Sequence, residues 1–307
     1  MNTPKVSLII LNWNGVNDTI ECLESIQRLT YEHYEVIVVD NGSDGDDVTI
    51  LSSIFGEYIH LVCNKSNLGS SEGYNSGIRY VLNASKPKPQ YIVIMNNDLV
   101  LNQNCLSELV RVADTDQKIG IVGPKIYYYD YKGSKNIIWS AGGKLRKWLP
   151  NVHYHIGENR VDGPEYHNEA SVDWITGAIF MLRTSLIDEI GLFHSGYFIG
   201  LEDVEYCLRT KKHQFDILYV PTAKAWHKVG VSMRKAGRSY ADPGLYYYFL
   251  KRNFSLPIYI YHLLLLPILI VQWGLLYLAG QRDKRRLYIF MRNLSQFLFN
   301  PKQNKLS

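Results

Sequence analysis

The chain has 307 residues, which is enough to bury a large core in one domain or in one domain with an appendage. Residues 1–200 carry 16 Lys and Arg against 23 Asp and Glu, whereas residues 201–307 carry 17 against 6. Basic charge in the last third favours anionic phosphates, a membrane surface or both as partners. The sequence contains no signature of a nucleic-acid-binding module, so we expect no nucleic-acid partner.

The four cysteines lie far apart in the sequence and form no CxxC pair, so no zinc or redox motif is indicated. Isolated cysteines in apolar surroundings are usually small core residues in a reducing compartment. The amino terminus leads directly into an apolar run, without the basic region and cleavage site of a signal peptide. We therefore expect the amino-terminal part of the chain to be cytosolic.

Over the first hundred residues, short apolar runs alternate with segments of helical spacing. The predicted strands are Val6–Leu11, Tyr34–Val39, Ile59–Cys63 and Tyr91–Met95, and the predicted helices are Asp18–Leu29, Val48–Phe55 and Ser71–Leu82. Units of about thirty residues with this alternation predict an α/β fold with a mostly parallel central sheet and helices on both faces. In such sheets, ligands bind beyond the carboxyl ends of the strands.

The later elements are shorter and less regular. We predict a helix over Leu106–Val112, a strand over Ile119–Val122, a buried strand or strand–helix junction over Val172–Leu182, a helix over Ser185–Ile190, and a strand over Phe215–Val220 that ends at Pro221. Residues 127–150 are rich in aromatic residues, Gly and Lys and indicate an irregular β excursion. His153, His155 and His167 lack metal-ligand spacing, and we expect them at the surface.

Polar side chains follow three of the predicted strands. Asn12 follows the first strand, Asp40 the second, and Asn96, Asn97 and Asp98 the fourth. An acidic residue at the tip of a second strand can accept hydrogen bonds from a base or ribose, although the Asn-Gly-Ser-Asp-Gly sequence after it is also strong turn chemistry. Asp98 can hold a hard cation such as Mg²⁺ or Mn²⁺, and through it a diphosphate, or it can cap the next helix.

Two further segments carry candidate chemistry. Residues 64–77 contain Asn67, Gly69 and Asn75; glycine permits close approach of the backbone to a ligand, and the helix start can face a phosphate, but a plain surface loop fits equally. Glu202 and Asp203 crowd the start of a predicted helix. Acidic residues at that position either cap the helix or provide a general base at the mouth of a cleft.

Residues 254–280 are almost continuously apolar and are long enough to cross a bilayer. Pro257 and Pro267 would break or kink a helix there, and basic residues flank the segment on both sides. A hairpin or interfacial helix on the cytosolic leaflet fits better than a single span, while a spanning helix and a dimer interface remain alternatives. Residues 287–299 show the spacing of a second amphipathic surface helix.

These segments, in this order, resemble the family 2 glycosyltransferases with the GT-A fold, and most closely the bacterial rhamnosyltransferase-like enzymes of cell-surface polysaccharide synthesis. The resemblance rests on VSLIILNWNG (6–15), VIVVDNGSDG (36–45), NKSNLGSSEGYNSGI (64–78), MNNDLVL (95–101), WITGAIFMLR (174–183), GLFHSGYFIGLEDVEYCLR (191–209) and WHKVGVS (226–232). Each motif is weak alone, but seven in order are specific.

The resemblance implies a role for each candidate residue. Asn12, Asn14, Asp40, Asn67, Gly69, Asn75 and Asn97 would bind the nucleotide donor, Asp98 and His227 the metal, and Trp174 and Gly177 the acceptor side. Asp203 would be the general base, with Glu202 as its rival. One departure from the family pattern concerns the DxD motif, whose first Asp is Asn96 here. The loss of one negative charge should weaken metal affinity and shift more of the metal's ligation to the substrate phosphates.

The resemblance further implies an inverting transfer from a nucleotide-diphosphate sugar, dTDP-rhamnose or a UDP-sugar, with a divalent cation, Mg²⁺ or Mn²⁺. The acceptor would be a glycan, in particular a polyprenyl-diphosphate-linked one, at the cytoplasmic face of a bacterial or archaeal cell membrane, with a homodimer also open. We expect a catalytic domain over residues 1–245, divided into a donor half (1–123) and an acceptor half (124–245), and a membrane-associating helical tail over 246–307.

Two other functions are compatible with parts of the sequence. A nucleotidyltransferase shares the nucleotide-binding architecture, but its first loop normally carries Gly and a cation for the triphosphate, whereas residues 12–15 contain no cation. A non-catalytic, membrane-peripheral binding protein with a decayed site is suggested only by Asn96. The retained Asp40, Asp98, Asp203 and His227 weigh against that alternative.

Overall fold

The computed structural model describes residues 3–149, 151–229 and 243–278. The chain divides into two compact units, one formed by Met1–Lys144 with Tyr154–Val229 and the other by Leu145–His153 with Gly230–Ser307. The predicted domain division at residue 245 stays a prediction. The predicted amphipathic helix at 287–299 and the basic residues that follow the apolar segment lie outside the described residues.

Helices and strands alternate through the first unit, as the sequence predicts. The helices are α1 (Val16–Ile26), α2 (Asp47–Phe55), α3 (Gly69–Ala84), α4 (Cys105–Ala113), α5 (Thr184–Ile190) and α6 (Glu202–Lys212). The strands are β1 (Val6–Asn12), β2 (Tyr34–Asp40), β3 (Ile59–Cys63), β4 (Tyr91–Asn96), β5 (Leu99–Leu101), β6 (Ile119–Tyr128), β7 (Ile137–Ser140), β8 (Gly143–Leu145), β9 (His153–His155), β10 (Arg160–Val161), β11 (Ala170–Ser171), β12 (Ile179–Arg183) and β13 (Asp216–His227).

Within the described residues, eleven strands form one sheet with the path β10-β7-β6-β12-β4-β1-β2-β3, and β13 pairs with β5, β6 and β11. Strands β1 to β4 pair in parallel, whereas β12 is antiparallel to both β4 and β6. The register sets Asn12 opposite Asp40 and Leu11 opposite Asn96. The polar carboxyl ends of three strands therefore lie at the same edge of the sheet, which is where α/β folds place their ligands.

Helices cover both faces of this sheet, which confirms the predicted fold class. Leu8 and Ile10 of β1 belong to one core cluster that includes side chains of α1 and α4. On the opposite face, a Cβ added at Gly77 of α3 would lie 2.5 Å from Cγ2 of Ile9 and 2.9 Å from Cγ2 of Val39. The alternation of side chains along β1 thus supplies both apolar layers.

The structure corrects one predicted boundary. The predicted strand end at Pro221 is wrong, because β13 continues to His227. Its register with β6 shifts between Val220 and Lys224. A shift of this kind accommodates a proline, which cannot donate to the strand ladder. The continuation matters because it brings His227 to the same sheet edge as the end of β4.

The second unit contains two helices, α7 (Pro243–Asn253) and α8 (Leu256–Leu278). The hydroxyl of Tyr247 donates to the carbonyl of His262 at 2.8 Å, and the ring Nε2 of His262 lies 2.9 Å from the carbonyl of Lys147. Along α8, several large apolar side chains are exposed: Leu256, Ile260, Leu264, Ile268, Val271 and Leu275. In the part of the chain that the structure describes, no helix meets the length and hydropathy expected of a membrane-crossing segment.

Candidate active site

A buried polar network joins the ends of β1 and β2. The Nδ2 of Asn12 donates to Oδ1 of Asp40 and to Oδ2 of Asp47, both at 2.9 Å, and its Oδ1 accepts from the hydroxyl of Thr19 at 2.8 Å. Asn97 donates to the same Asn12 oxygen at 3.2 Å. Asn12 has no exposed surface. The structure thus gives Asn12 and Asn97 organising contacts, and their predicted contact with a donor stays a prediction.

The carboxylate of Asp40 is also occupied by the turn that follows it. Ser43 donates to it from the backbone N–H at 3.0 Å and from the hydroxyl at 2.6 Å. Asn14, which has a positive φ of 49°, exchanges hydrogen bonds with Asp44 and so ties the loop after β1 to the loop after β2. The turn interpretation of this segment is therefore seen directly. Binding of a base or ribose by Asp40 stays a prediction.

The glycine-rich segment forms the start of α3. Oδ1 of Asn67 accepts from the N–H of Gly69 at 2.9 Å and from Asn41 at 3.1 Å. Gly69 has a φ of +80°, and a Cβ there would collide with the carbonyl oxygen of Phe198. Asn75 is buried and clamps the backbone of Phe193, with its amide donating at 2.9 Å and accepting at 3.0 Å. The contacts of Asn75 are structural ones, and its predicted position in a nucleotide pocket stays a prediction.

The two predicted metal ligands lie side by side. Nε2 of His227, at the end of β13, is 3.0 Å from Oδ1 of Asp98, and both side chains are almost fully buried. Despite this distance, neither atom makes a hydrogen bond of acceptable geometry with any residue that the structure describes. Buried polar atoms without partners are costly, so this pair fits a site completed by a cation. In the described ranges, no cluster of three or more His, Cys, Asp and Glu side chains can hold a metal.

Charged neighbours affect the pKa of Asp98. Burial raises its pKa, but His227, when protonated, and Lys228 lower it by more, so the pKa of Asp98 lies below its ordinary value. The backbone N–H of Lys228 donates to the carbonyl of Asp98 at 3.0 Å, and its Nζ lies 2.6 Å from carboxylate oxygens of Asp18 and Glu21. Lys228 thus fastens the end of β13 to the loop after β4 and to α1.

The predicted base lies at the first turn of α6. Oδ2 of Asp203 accepts from the N–H of Gly177 at 2.6 Å, and Oδ1 accepts from the N–H of Val204 at 2.8 Å. Burial raises the pKa of Asp203 above its ordinary value, and these N–H groups lower it by less. Glu205, the next acidic residue along α6, forms an ion pair with Arg209 at 2.8 Å.

Glu202 has a different environment from Asp203. It is 7% exposed, and its Oε1 lies 2.6 Å from the hydroxyl oxygen of Ser70. Asp203 is half-buried and therefore more open to a reacting group. Of the two carboxyl groups, Asp203 has the better access for a base, and Glu202 is the more enclosed.

Two features of the site were not found from the sequence. The hydroxyl of Tyr74 donates to Oδ1 of Asn96 at 2.7 Å and lies 3.3 Å from the carbonyl oxygen of Gly177. It joins the end of β4 to the segment that holds Asp203. No local pattern signals this contact, because Tyr74 lies on α3 among ordinary core residues.

The second missed feature is a ring cluster formed by Trp139, His155, Trp174 and His227. The ring of His155 lies between the indoles of Trp139 and Trp174, at centroid distances of 4.8 Å and 4.7 Å. Trp139 also makes an edge contact with His227 at 4.4 Å. The surface position expected for His155 is therefore wrong, and Trp174 is buried beside it. Packing of the Trp139 indole against His227 helps to fix the orientation of that ring.

Comparison with known proteins identifies the family to which the chain is similar. The sequence model of the family described as Glycosyl transferase family 2 matches residues 7–181 of the chain. The low-salt glycan biosynthesis hexosyltransferase Agl10 of Haloferax volcanii is 25% identical over 235 residues, which cover 76% of this chain and 71% of Agl10. Rhamnosyltransferase WbbL of Escherichia coli (strain K12) is 23% identical over 221 residues, which cover 71% of this chain and 82% of WbbL.

Among solved structures, the mannosyltransferase PcManGT from Pyrobaculum calidifontis, in complex with GDP-Man and Mn²⁺, superposes with a TM-score of 0.58. The alignment covers 97% of this chain and 88% of PcManGT at 15% sequence identity. At this identity the similarity establishes the shared fold.

The buried network around Asn12 yields a testable prediction. Asn12→Ala leaves the carboxylates of Asp40 and Asp47 without a shared donor in a buried site, which should cost about 1–3 kcal/mol of unfolding free energy. We expect a clearly lower midpoint in chemical denaturation without any ligand. Gln103→Ala, an exposed side chain outside this network, is the control and should change the midpoint little. An unaltered midpoint for Asn12→Ala would contradict the organising role.

Proposed function

The chain belongs to the family 2 glycosyltransferases, enzymes that use nucleotide-sugar donors, and we propose that it is a divalent-metal-dependent, inverting member of this family. In this proposal it moves one sugar from dTDP-rhamnose or a UDP-sugar to a glycan acceptor, in particular a polyprenyl-diphosphate-linked one. A donor and an acceptor of these kinds fit a sugar-transfer step in cell-surface polysaccharide synthesis.

One chain of contacts carries the proposal. The hydroxyl of Tyr74 joins Asn96 to Gly177, and the N–H of Gly177 donates to Asp203. Asn96 occupies the first position of the motif that ends at Asp98. These contacts support a single site that includes both the candidate metal-side carboxylate and the candidate base, as a transfer between a diphosphate donor and an acceptor hydroxyl requires.

Asp98 and His227 are the residues that would hold the cation. A divalent ion supplies charge neutralisation for the oxygens of a departing diphosphate. With two side chains from the described residues, the rest of the ligands would come from donor phosphates and water, the usual situation for Mg²⁺ and also open to Mn²⁺. Trp139 packs against His227, and Lys228 links the end of β13 to the loop after β4 and to α1. These contacts keep the side chains of Asp98 and His227 in place.

Asp203 would take the proton from the acceptor hydroxyl as that oxygen attacks the anomeric carbon. A raised pKa suits a base that has to hold a proton transiently near neutral pH. The hydrogen bonds from Gly177 and Val204 fix the carboxylate in one orientation. With one base and no protein nucleophile assigned, attack occurs opposite the leaving diphosphate and the configuration inverts.

The relatives support the choice of donor class. WbbL is named a rhamnosyltransferase, Agl10 a hexosyltransferase, and PcManGT is described with GDP-Man and Mn²⁺. On this basis we propose a hexose or deoxyhexose donor activated by a nucleoside diphosphate. Among these donors, dTDP-rhamnose is the first choice and a UDP-sugar the second.

The second unit supports a location at the cytoplasmic face of a bacterial or archaeal cell membrane. The exposed apolar side chains of α8 recur about every four residues from Leu256 to Leu275, so they form a stripe along the helix. Lys251 and Arg252 at the end of α7 are exposed and basic. An apolar stripe with basic neighbours suits an anionic lipid surface that also presents a lipid-linked acceptor. A homodimer through α8 is the competing use of the stripe.

Asp98→Asn keeps the size of the side chain and removes its charge. We expect it to weaken Mn²⁺ binding, measured by calorimetry with a nucleoside diphosphate present, and to lower nucleoside diphosphate release by roughly 100-fold or more. Asp116→Asn, at an exposed turn, is the control and should alter neither quantity. Equal Mn²⁺ affinity in wild type and Asp98→Asn would remove Asp98 from the metal site.

Asp203→Asn removes the proposed base. Transfer to the acceptor should fall by about 10²- to 10⁴-fold while donor affinity persists. The base works only when it is ionised, so wild-type kcat/KM should rise with pH as Asp203 loses its proton. Because the pKa of Asp203 is raised, this rise should occur at a higher pH than the ordinary Asp pKa. Asp188→Asn, an exposed acid on α5, should reproduce the wild-type profile. A wild-type profile that is flat down to pH 4 would exclude Asp203 as the base.

The membrane proposal is tested by flotation with vesicles containing anionic phospholipid. Leu264→Glu combined with Ile268→Glu should abolish binding by the full chain, because both side chains lie in the exposed stripe. Ile54→Glu changes an exposed apolar residue of the first unit and should leave binding intact. Unchanged flotation of the double variant would contradict the membrane role, and a drop in its solution mass relative to wild type would identify a dimer interface instead.

A further inference from the structure

Glu202 is a buried acidic residue without a cation partner in the part of the chain that the structure describes. It is 7% exposed, and no Lys, Arg or His of the described ranges forms an ion pair with it. Glu205, further along α6, does have a cation partner, because the guanidinium of Arg209 donates to its two carboxylate oxygens at 2.8 Å and 3.0 Å. Ionising a buried carboxyl group without such a partner costs free energy, so the group usually keeps its proton.

The hydrogen bonds of Ser70 point to the same state. Its hydroxyl oxygen lies 2.6 Å from Oε1 of Glu202 and 3.2 Å from the carbonyl oxygen of Phe198. A hydroxyl has one proton, and a backbone carbonyl can only accept. Both contacts are satisfied fully if Ser70 donates to Phe198 and a protonated Glu202 donates to Ser70. The other oxygen of Glu202, Oε2, is buried and makes no hydrogen bond of acceptable geometry within the described residues.

Among the residues that the structure describes, two titratable groups interact with Glu202, namely Asp203 on its own helix and Tyr74 on α3, and neither is a cation. The charge of Asp203 opposes the ionisation of Glu202. Burial, and next the charge of Asp203, raise the pKa of Glu202 to about 7. In the ionised state of Glu202, the hydroxyl of Ser70 and the backbone of Glu202 and Gly200 would donate to the carboxylate, and these hydrogen bonds lower the pKa by less.

We propose that Glu202 works as a neutral, hydrogen-bond-donating positioning residue, which ties the first turn of α6 to the start of α3 and leaves the negative charge of the acidic pair to Asp203. This inference rests on the proposed role of Asp203 as base. The tie is reinforced by the N–H of Ser70, which donates to the carbonyl of Phe198 at 2.6 Å. The contact between α6 and α3 thus connects the glycine-rich segment on the proposed donor side to the carboxylate of Asp203 on the proposed acceptor side.

The protonation state is tested without any substrate. A carboxyl with a raised pKa favours the folded protein at low pH, and that contribution is lost as the pH rises through the folded-state value. Glu202→Gln removes the ionisation, so its melting temperature should match wild type at pH 4, below the ordinary pKa of Glu, and exceed it by several degrees at pH 9. Infrared difference spectra between the two proteins at pH 6 should show a neutral carboxylic acid that only wild type contains.

The control for this comparison is Glu205→Gln, which breaks the ion pair with Arg209 and should lower the melting temperature at pH 9. A melting temperature of Glu202→Gln at or below that of wild type at pH 9, or the absence of the carboxylic acid band, would overturn the proposal. These two readouts do not depend on catalysis. They therefore decide the state of Glu202 even if no donor is turned over and the proposed function fails.

The positioning role is tested by comparing variants that can and cannot donate. Glu202→Gln retains a donor toward Ser70, so transfer should fall by less than about tenfold at pH 7, whereas Glu202→Leu should fall by more than about 100-fold. Ser70→Ala removes the acceptor and should lower transfer in the wild-type background but add little to Glu202→Leu. A loss in Glu202→Gln as large as in Asp203→Asn would show that Glu202 acts as an ionised base, which contradicts the proposal.

Discussion

Burial of acidic side chains at the edge of the sheet is the constraint that organises this protein. Each acidic group there is stabilised by a different means. Asp40 and Asp47 share the amide of Asn12, Asp98 lies against His227, and Asp203 accepts backbone N–H groups. Glu202 keeps its proton. In the proposed function, Asp98 and Asp203 are the two carboxylates that take part in the reaction, one toward a cation and one toward a hydroxyl.

The sequence predicted the features that depend on local pattern. Apolar runs ending in Asn12, Asp40 and Asp98 marked the strand ends, and parallel register then brought these residues to one edge. The family resemblance implied Asp98 and His227 as metal ligands, and the structure places Oδ1 of Asp98 and Nε2 of His227 3.0 Å apart. The acidic turn of α6 was likewise found, because a helix start crowded with carboxylates is visible in the sequence.

Contacts between distant segments could not be read from the sequence. Tyr74 is an ordinary aromatic residue of α3 until folding places its hydroxyl between Asn96 and Gly177. His155 was expected at the surface, yet its ring packs against the indoles of Trp139 and Trp174. Pro221 is a local signal for a strand end, but pairing with β6 through a shifted register overrides it. In each case a tertiary contact decides the outcome and no short pattern encodes it.

The central claim is that the edge formed by Asp98, His227 and Asp203 transfers a sugar from a nucleotide donor. The most direct measurement is nucleoside diphosphate release by the purified chain from a panel of dTDP-, UDP- and GDP-sugars, with Mn²⁺ or Mg²⁺ and with a chelator. We predict slow release from one donor that requires the cation and accelerates when a lipid-linked glycan is added. Failure to release from every donor, together with no rise in melting temperature on adding nucleotide and cation, would contradict the account.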